Sequence, residues 1–354
     1  MTSPAIVATR LVTQRDLAAI CNVSLMTVSN ALRGAGRVRP KVAAAIIAAA
    51  HEHGYSRETH FGARALQQRR HGGQVATKVI CAVVREIEDD DRLFNGRILR
   101  GIEVAAAADD NELIIAPNVK SGGLPRVVTR RQVDGLIWLL SEVAMHAGPV
   151  HSPVPWVSIL YDVPEADTVL VDNREGGRQL GEHLAALGHR CVAFVGSGSS
   201  LGCERLAGLR AGLAAAGGRV PAEYVSTERH VGTEAQVLPL LRRAMAAAQA
   251  RPAAERFTAL AVYNDHQAGF VIRCLEQEFG WRGPQDLSVT GFDGLSHVPA
   301  STRRLTTAAL PLEELGATAN RLLTCRLAHP GRPRQRRVLA PRLVVGDTTT
   351  VAGA

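Results

Sequence analysis

The chain has 354 residues, of which 46% are hydrophobic and 21% are charged, a composition typical of folded proteins. At about 150 residues a domain, this length predicts two or three domains. The composition excludes a chain that is disordered throughout, a collagen and a coiled coil. No apolar run of about 18 residues or more occurs, so we expect no membrane span. The first residues lack the apolar stretch of a secretory signal, so we expect a cytoplasmic protein.

The basic charge of the chain is concentrated at one end. The formal net charge is +8, and residues 1–75, with ten basic and three acidic side chains, account for +7 of it. Residues 76–354 carry 31 basic and 30 acidic side chains and are nearly neutral. A basic segment on a neutral body is typical of a module that binds a polyanion, although an exposed basic tail would give the same composition.

The capping and turn signals in residues 11–55 predict three short helices. Thr13 and Asp16 have the spacing of a capping box at the start of the first helix, and Ser24 can cap the second. Pro40 suits the first turn of the third helix, in which we expect Ile47 to face inward. Two short helices joined by a tight turn have the spacing of a helix-turn-helix, whose second helix lies in the major groove of DNA.

From residue 76 onward, short apolar runs alternate with amphipathic helical segments. This alternation predicts parallel sheets that are covered by helices on both faces. Eight strands are too many for one small open sheet, so we expect two lobes. The candidate strands are Val79–Val84, Leu113–Ala116, Gly135–Leu139, Trp156–Ile159, Thr168–Val171, Cys191–Val195, Ala259–Tyr263 and Ser288–Gly291.

The segment from Thr13 to Leu32, with the core Val23-Ser-x-x-Thr-Val-Ser29, resembles the headpiece of the LacI/GalR family of bacterial transcription regulators. The body is similar to the family at five more places. These are Leu187-Gly-His-Arg190, Arg205-x-x-Gly208, Asn264-Asp265, Pro284–Asp293, and Leu305-Thr-Thr307 followed by Glu314-Leu-Gly316. The resemblance implies an all-α helix-turn-helix headpiece and an α/β core like that of periplasmic binding proteins, with two Rossmann-like lobes.

The resemblance also implies a division of the chain into three parts. We expect a DNA-binding headpiece at residues 1–55, a hinge helix at residues 56–75, and a core that binds an effector and dimerises at residues 76–354. Within the core, we expect lobe 1 to comprise residues 76–173 and 308–335, and lobe 2 to comprise residues 174–307 and 336–350.

In the family, residues of the second helix contact DNA. The matching positions here are Leu25, Met26, Thr27, Ser29, Asn30 and Arg33. Leu25 and Met26 would contact thymine methyl groups, and Asn30 can form a bidentate contact with adenine. The other three are placed for phosphates, which fix the position of the protein without reading sequence. The alternative for Leu25 and Met26 is an apolar pair that is packed, or exposed without a role.

The expected hinge contains a candidate minor-groove residue. In the family, a short helix forms here on operator DNA and a leucine wedges into the minor groove, which kinks the duplex. Ala63-Arg-x-Leu66 matches the family's motif and assigns this role to Leu66. Ser56-Arg-Glu58 stands where the family usually has Pro-Asn, and Leu66 lies two residues further on than usual. The alternative is a residue of a disordered linker.

The resemblance places effector contacts at Arg205, Asn264 and Asp293, which follow or end predicted strands. Ligands of open α/β sheets bind beyond the carboxyl ends of the strands, so these positions suit a cleft between the lobes. Phe94 is a candidate aromatic contact from lobe 1, with core packing as its alternative. Arg205 and Asp293 could instead pair with each other as structural charges.

The sequence gives little indication of a dinucleotide-binding, metal-binding or catalytic site. The loop from Gly196 to Gly202 resembles a dinucleotide fingerprint, but its spacing is GxGxxxG, one residue too long. The six cysteines form no CxxC pair, and we expect no cofactor, metal or catalytic residue. We expect a homodimeric repressor, not an enzyme, that binds a pseudo-palindromic double-stranded operator under the control of a sugar or nucleoside-like effector. The alternatives are a cytosolic small-molecule binding protein without specific DNA binding and a nicotinamide-dependent enzyme.

Overall fold

The computed structural model describes residues 12–34, 36, 38–53, 55, 76–84, 92–117, 123–139, 152–229, 231, 233–295 and 303–353. The chain divides into two units, Met1–Ala76 and Thr77–Ala354. The expected hinge at residues 56–75, with the candidate wedge Leu66, lies outside the described residues.

The first unit contains the three expected helices. These are α1 (Gln14–Ile20), α2 (Leu25–Arg33) and α3 (Pro40–Glu52). The capping box of α1 is formed, because the Thr13 amide donates to Asp16 Oδ2 at 2.7 Å and the Asp16 amide donates to Thr13 Oγ1 at 3.3 Å. Ser24 caps α2, since its Oγ accepts from the Thr27 amide at 3.1 Å.

One face of each helix builds the core of the first unit. Leu17, Val28 and Ile46 are fully buried at its centre. The expectation that Ile47 faces inward is wrong, because this side chain is 47% exposed. Ile46 and Ala50 already occupy the inner face of α3, and Ile47 lies about 100° further round the helix.

Within the described residues, the second unit has twelve strands and seven α-helices. The strands are β1 (Val79–Val84), β2 (Glu112–Pro117), β3 (Gly135–Leu139), β4 (Trp156–Ile159), β5 (Asp167–Val171), β6 (Val192–Ser197), β7 (Val225–Glu228), β8 (Ala259–Val262), β9 (Ser288–Asp293), β10 (Thr306–Ala309), β11 (Arg336–Leu339) and β12 (Arg342–Val344). The helices are α4 (Arg92–Ala108), α5 (Arg126–Thr129), α6 (Asn173–Ala186), α7 (Ser200–Ala214), α8 (Glu234–Gln249), α9 (Asp265–Glu278) and α10 (Leu312–Ala328). Short 3₁₀ turns lie at Ala222–Tyr224 and Ala253–Glu255. None of these helices is long and apolar enough to cross a membrane.

Sheet 1 has the strand order β11-β5-β4-β3-β1-β2 and is parallel throughout. Successive residues of β1 pack on opposite faces, since Ile80 and Ala82 share a cluster with Ile98 of α4, whereas Cys81 shares one with Val128 of α5. Helices α4 and α10 pack against each other on the first of these faces. Sheet 1 and these helices form lobe 1.

Sheet 2 has the strand order β12-β10-β9-β8-β6-β7 and is parallel except for β12, which runs antiparallel to β10. Phe194 of β6 packs with Leu209 of α7, whereas its neighbours Ala193 and Val195 pack with Leu240 of α8. The sheet is therefore covered on both faces. Sheet 2 with α6, α7, α8 and α9 forms lobe 2, and the two-lobed α/β fold expected from the sequence is confirmed.

The chain passes between the lobes three times, from β5 to α6, from β10 to α10 and from β11 to β12. The expected return to lobe 2 at residue 336 is wrong, because Arg336–Leu339 pairs with Thr168–Val171 in sheet 1. The buried Asp167 carboxylate favours this pairing, since it accepts from the Gln335 amide at 2.6 Å. Strand β10 also ends two residues beyond the expected boundary at 307.

The C-terminal segment, residues 348–350, is bound to lobe 2 by hydrogen bonds. The Val289 amide donates to the Thr348 carbonyl at 2.7 Å. His189 is buried beneath the segment, with Nε2 at 3.0 Å from the Thr350 carbonyl and Nδ1 at 2.8 Å from Thr258 Oγ1. Burial lowers the pKa of His189, and a neutral imidazole suits this pair of partners because it has one donor and one acceptor.

Candidate functional site

The first turn of α2 presents an exposed apolar pair. Met26 is 70% exposed and Leu25 is 44% exposed, whereas Val28 and Ala31 on the other side of the helix are buried. Leu25 and Met26 are therefore not core residues of the described part of this unit, which removes the packed alternative. An apolar pair in this position can contact thymine methyl groups in a major groove.

The polar candidates on α2 interact with each other. Arg33 Nη2 donates to Asn30 Oδ1 at 2.6 Å, and Arg33 Nε donates to the Ser29 carbonyl at 3.0 Å. The Thr27 hydroxyl lies 2.8 Å from Ser24 Oγ. A bidentate contact with adenine needs both Oδ1 and Nδ2 of the asparagine. Because Oδ1 has two lone pairs, it can accept from adenine while Arg33 still donates to it, and the guanidinium of Arg33 keeps other donors for phosphate.

Arg205 lies at the centre of a buried polar cluster in the second unit. It projects from α7, and its side chain is held by groups from three other elements. Nε donates to Asn173 Oδ1 at 3.0 Å, Nη1 to the Tyr263 carbonyl at 2.7 Å, and Nη2 to Asp293 Oδ1 at 3.3 Å. The guanidinium carbon lies 3.9 Å from the ring centre of Phe292 and 4.6 Å from that of Tyr263, distances at which a cation is attracted to an aromatic ring.

Arg205 and Asp293 form the ion pair that the sequence left as an alternative to an effector site. Their side chains are only 7% and 8% exposed. The two interpretations are compatible, because a hydroxylated ligand can accept from the guanidinium and donate to the carboxylate. The pair also has a structural role, since loss of one member would leave the other charged and buried.

The other two candidate effector contacts, Asn264 and Phe94, also have structural contacts. Asn264 Oδ1 caps α9 by accepting from the Gln267 amide at 2.9 Å, which leaves its Nδ2 group for a ligand. Phe94 is half-buried and packs against the apolar core, in agreement with its alternative interpretation. The Arg205 cluster is therefore built from lobe 2, including Asn173, the first residue of α6.

Three members of the cluster are absent from the residues proposed from the sequence: Asn173, Tyr263 and Phe292. Each lies within two residues of the carboxyl end of a strand, where ligands of parallel sheets bind. The rule that selected Arg205 and Asp293 could therefore have found them. Tyr263 also contributes a backbone carbonyl, which a search for side-chain chemistry overlooks.

Asp265 lies behind the cluster and is fully buried. Its Oδ1 accepts from Thr307 Oγ1 at 2.7 Å, and its Oδ2 accepts from the Leu295 amide at 2.7 Å. Burial first, and then the neighbouring Asp293 carboxylate, raise the pKa of Asp265 to about 8, although these donors favour its charged form. Asp265 thus holds the segment that follows Asp293.

The serines of the loop from Gly196 to Gly202 have local structural partners. Ser197 Oγ accepts from the Ser199 amide at 3.2 Å, and Ser199 Oγ accepts from the Gly202 amide at 3.2 Å as the cap of α7. No group of three or more His, Cys, Asp or Glu side chains that could hold a metal ion occurs among the described residues.

Two family models match the chain, one in each unit. Residues 13–58 match the bacterial regulatory proteins of the lacI family, and residues 182–349 match the periplasmic binding protein-like domain. The arabinose metabolism transcriptional repressor of Geobacillus stearothermophilus is 31% identical over 264 residues, which cover 71% of this chain and 70% of that protein. The chain belongs to the lacI family of bacterial regulatory proteins.

Other transcriptional regulators match nearly the whole chain. The transcriptional regulator DegA of Bacillus subtilis (strain 168) is 28% identical over 351 residues, which cover 95% of this chain and 97% of that protein. The structure of the transcriptional regulator CelR in complex with cellobiose is 26% identical, with a TM-score of 0.61, and covers 95% of this chain and 99% of CelR. As a lacI-family member, the chain is a DNA-binding transcription regulator.

Proposed function

We propose that this lacI-family regulator is a cytoplasmic repressor that binds a pseudo-palindromic operator as a homodimer and responds to a small sugar or nucleoside-like effector. The observation that carries the effector part of the proposal is the Arg205–Asp293 pair, whose guanidinium lies over two aromatic rings at the carboxyl ends of parallel strands. A purely structural ion pair does not need this position, whereas a ligand site in an open α/β sheet does.

The chemistry of the cluster suits a hydroxylated ligand. Arg205 supplies donors in a planar fork, Asp293 supplies acceptors, and the half-buried ring of Tyr263 supplies a flat apolar surface. A sugar hydroxyl that inserts between Arg205 and Asp293 would replace their direct hydrogen bond of 3.3 Å with two of its own. The names of two relatives also favour a sugar effector, since one governs arabinose metabolism and another is known in complex with cellobiose.

The DNA-binding part of the proposal rests on α2. Its first turn exposes Leu25 and Met26, and Asn30 follows one turn later on the same helix. In a helix-turn-helix protein, such a helix reads one half-site, and two symmetry-related copies read two half-sites about one or more helical turns of DNA apart. Leu66 would add a minor-groove contact between them.

An exposed apolar surface supports the homodimer. Leu93 and Val104 of α4 are 50% and 53% exposed, and Ile115 of β2 is 52% exposed. Strand β2 is the edge of sheet 1 and contacts α4. We call Leu93, Val104 and Ile115 the apolar face. Exposed apolar groups on adjacent elements commonly mark an interface, and symmetric dimers bury the same surface from both copies.

Selection of bound duplexes from random-sequence DNA by the full chain tests the proposed function. We expect enrichment of a two-fold symmetric site, and a change in the enrichment when arabinose or cellobiose is added. A pool without any symmetric site would favour a small-molecule binding protein that does not bind DNA specifically. Sedimentation of Val104→Glu, with the exposed Val351→Glu as its matched control, tests the dimer face, because only the first variant should become monomeric.

A further inference from the structure

Arg97 of α4 joins elements of different lobes. Its Nη1 donates to the Gly294 carbonyl at 3.2 Å, directly after β9 in lobe 2. Its Nε and Nη2 donate to the two carboxylate oxygens of Glu313 on α10, in lobe 1, at 2.7 and 2.8 Å. One guanidinium therefore connects the end of β9 to two helices of the other lobe.

The Gly294 carbonyl belongs to the turn that carries Asp293. Asp293 has a φ of +116°, a conformation that is strained for a residue with a side chain, and Gly294 has a φ of +78°. Lobe 2 holds this turn through the Leu295 amide, which donates to Asp265, and the Gly294 amide, which donates to Thr307 Oγ1 at 3.3 Å. Arg97 adds an anchor to the same turn from lobe 1.

Helices α4 and α10 form a rigid support for Arg97. A Cβ atom at Gly101 would collide with the Glu313 carbonyl, and a Cβ atom at Gly316 would collide with the Ile98 carbonyl. The two backbones thus touch at two places, with no room for a side chain between them. Arg97 lies one turn before Gly101, so it moves together with this pair of helices.

We propose that Arg97 is a positioning residue that couples the Asp293 turn to α4, so that the turn and the helix move together. The inference rests on the proposed function, in which Asp293 contacts the effector and α4 carries part of the apolar face. A ligand that displaces Asp293 also displaces the Gly294 carbonyl, and Arg97 transmits that displacement to α4. The Arg97 and Glu313 side chains are 39% and 47% exposed, so the contact can break and form again without opening the core.

Hydrogen–deuterium exchange on the full chain, without DNA or ligand, tests this coupling. Arg97→Gln is compared with Arg100→Gln, a matched control because Arg100 lies on the same helix and pairs with Glu103 of that helix. We expect Arg97→Gln to increase the exchange rates of the Gly294 and Leu295 amides about tenfold, and Arg100→Gln to leave them unchanged. Unchanged rates in Arg97→Gln would overturn the proposal.

The Thr307→Val variant distinguishes coupling of the Asp293 turn to α4 from a role in which Arg97 only fastens α4 to α10. Loss of the Thr307 hydroxyl loosens the turn from lobe 2, and coupling should then increase exchange in α4 as long as Arg97 is present. In the Arg97→Gln background, Thr307→Val should no longer affect α4, because the connection is already broken. If Arg97 only fastens α4 to α10, Thr307→Val leaves α4 unchanged in both backgrounds, and the proposal is wrong.

Failure of the proposed function would appear in a different measurement. The exchange comparison uses neither DNA nor an effector, so its outcome decides the coupling in every case. A chain that selects no symmetric operator would count against the proposed function alone.

Discussion

Helix α2 and the Arg205 cluster differ in how deeply their polar groups are built into the fold. On α2, Arg33 and Asn30 interact with partners on their own helix, and their neighbour Met26 is 70% exposed. In the core, Arg205 is only 6% exposed and is held by groups from three other elements. Under the proposed function, sequence preference for DNA can therefore change with little effect on folding, whereas the Arg205 cluster shares its residues with the core.

The largest expected effect is loss of stability on removal of Arg205. Arg205→Ala leaves Asp293 buried without its partner, and we expect the free energy of unfolding to fall by about 3–5 kcal/mol. Urea denaturation measures this change. Arg304→Ala is the matched control, because Arg304 forms an ion pair with Asp347 in which both side chains are exposed, and such pairs contribute little. Equal losses in the two variants would show that the cluster is not part of the core.

An intermediate effect is expected at Asn30. Asn30→Ala should weaken binding to the selected operator by about 1–3 kcal/mol, the range for one bidentate base contact, and should leave thermal unfolding unchanged. Fluorescence anisotropy with the selected duplex and with a scrambled duplex measures both affinities. Ala48→Ser, an exposed position on α3, is the control. A loss that is equal on both duplexes would assign Asn30 to backbone contacts.

The smallest effect concerns pH and the C-terminal segment. Burial lowers the pKa of His189, so the unfolded chain binds a proton more readily than the folded chain. The stabilisation is therefore complete above the ordinary histidine pKa of about 6.5 and is lost as the pH falls below it. Urea denaturation at pH 7.5 and 5.5 should give a smaller loss in His189→Gln than in the parent chain. His329→Gln, on the exposed loop after α10, should behave like the parent.

The sequence predicts the architecture well because its long apolar strands and capped helices carry strong local signals. The eight candidate strands are present in the structure, and the capping box at Thr13 forms as expected. The four strands without such a signal, β7, β10, β11 and β12, are three or four residues long. Strand β11 begins with two arginines, and its place in sheet 1 depends on Asp167, a long-range partner that periodicity does not reveal.

The sequence also predicts part of the candidate site, because local signals locate the strands and helices that carry it. Asp293 ends β9, Arg205 lies on α7 after β6, and the structure brings them together. Asn173, the Tyr263 carbonyl and the link between Arg97 and Gly294 depend on contacts between segments that are far apart in the chain. Their positions follow from the tertiary fold, because a backbone acceptor has no residue type by which a motif could select it.

The last two strands have a consequence for how the protein is made. Strands β11 and β12 are separated by two residues, yet each completes the edge of a different sheet. During synthesis, neither lobe can acquire its edge strand until the ribosome has released β11 and β12. A nascent chain that stops before residue 336 would expose the edges of both sheets at once, and open edges favour aggregation. Deletion of β11 and β12 should therefore reduce the yield of folded protein far more than the small number of residues removed would suggest.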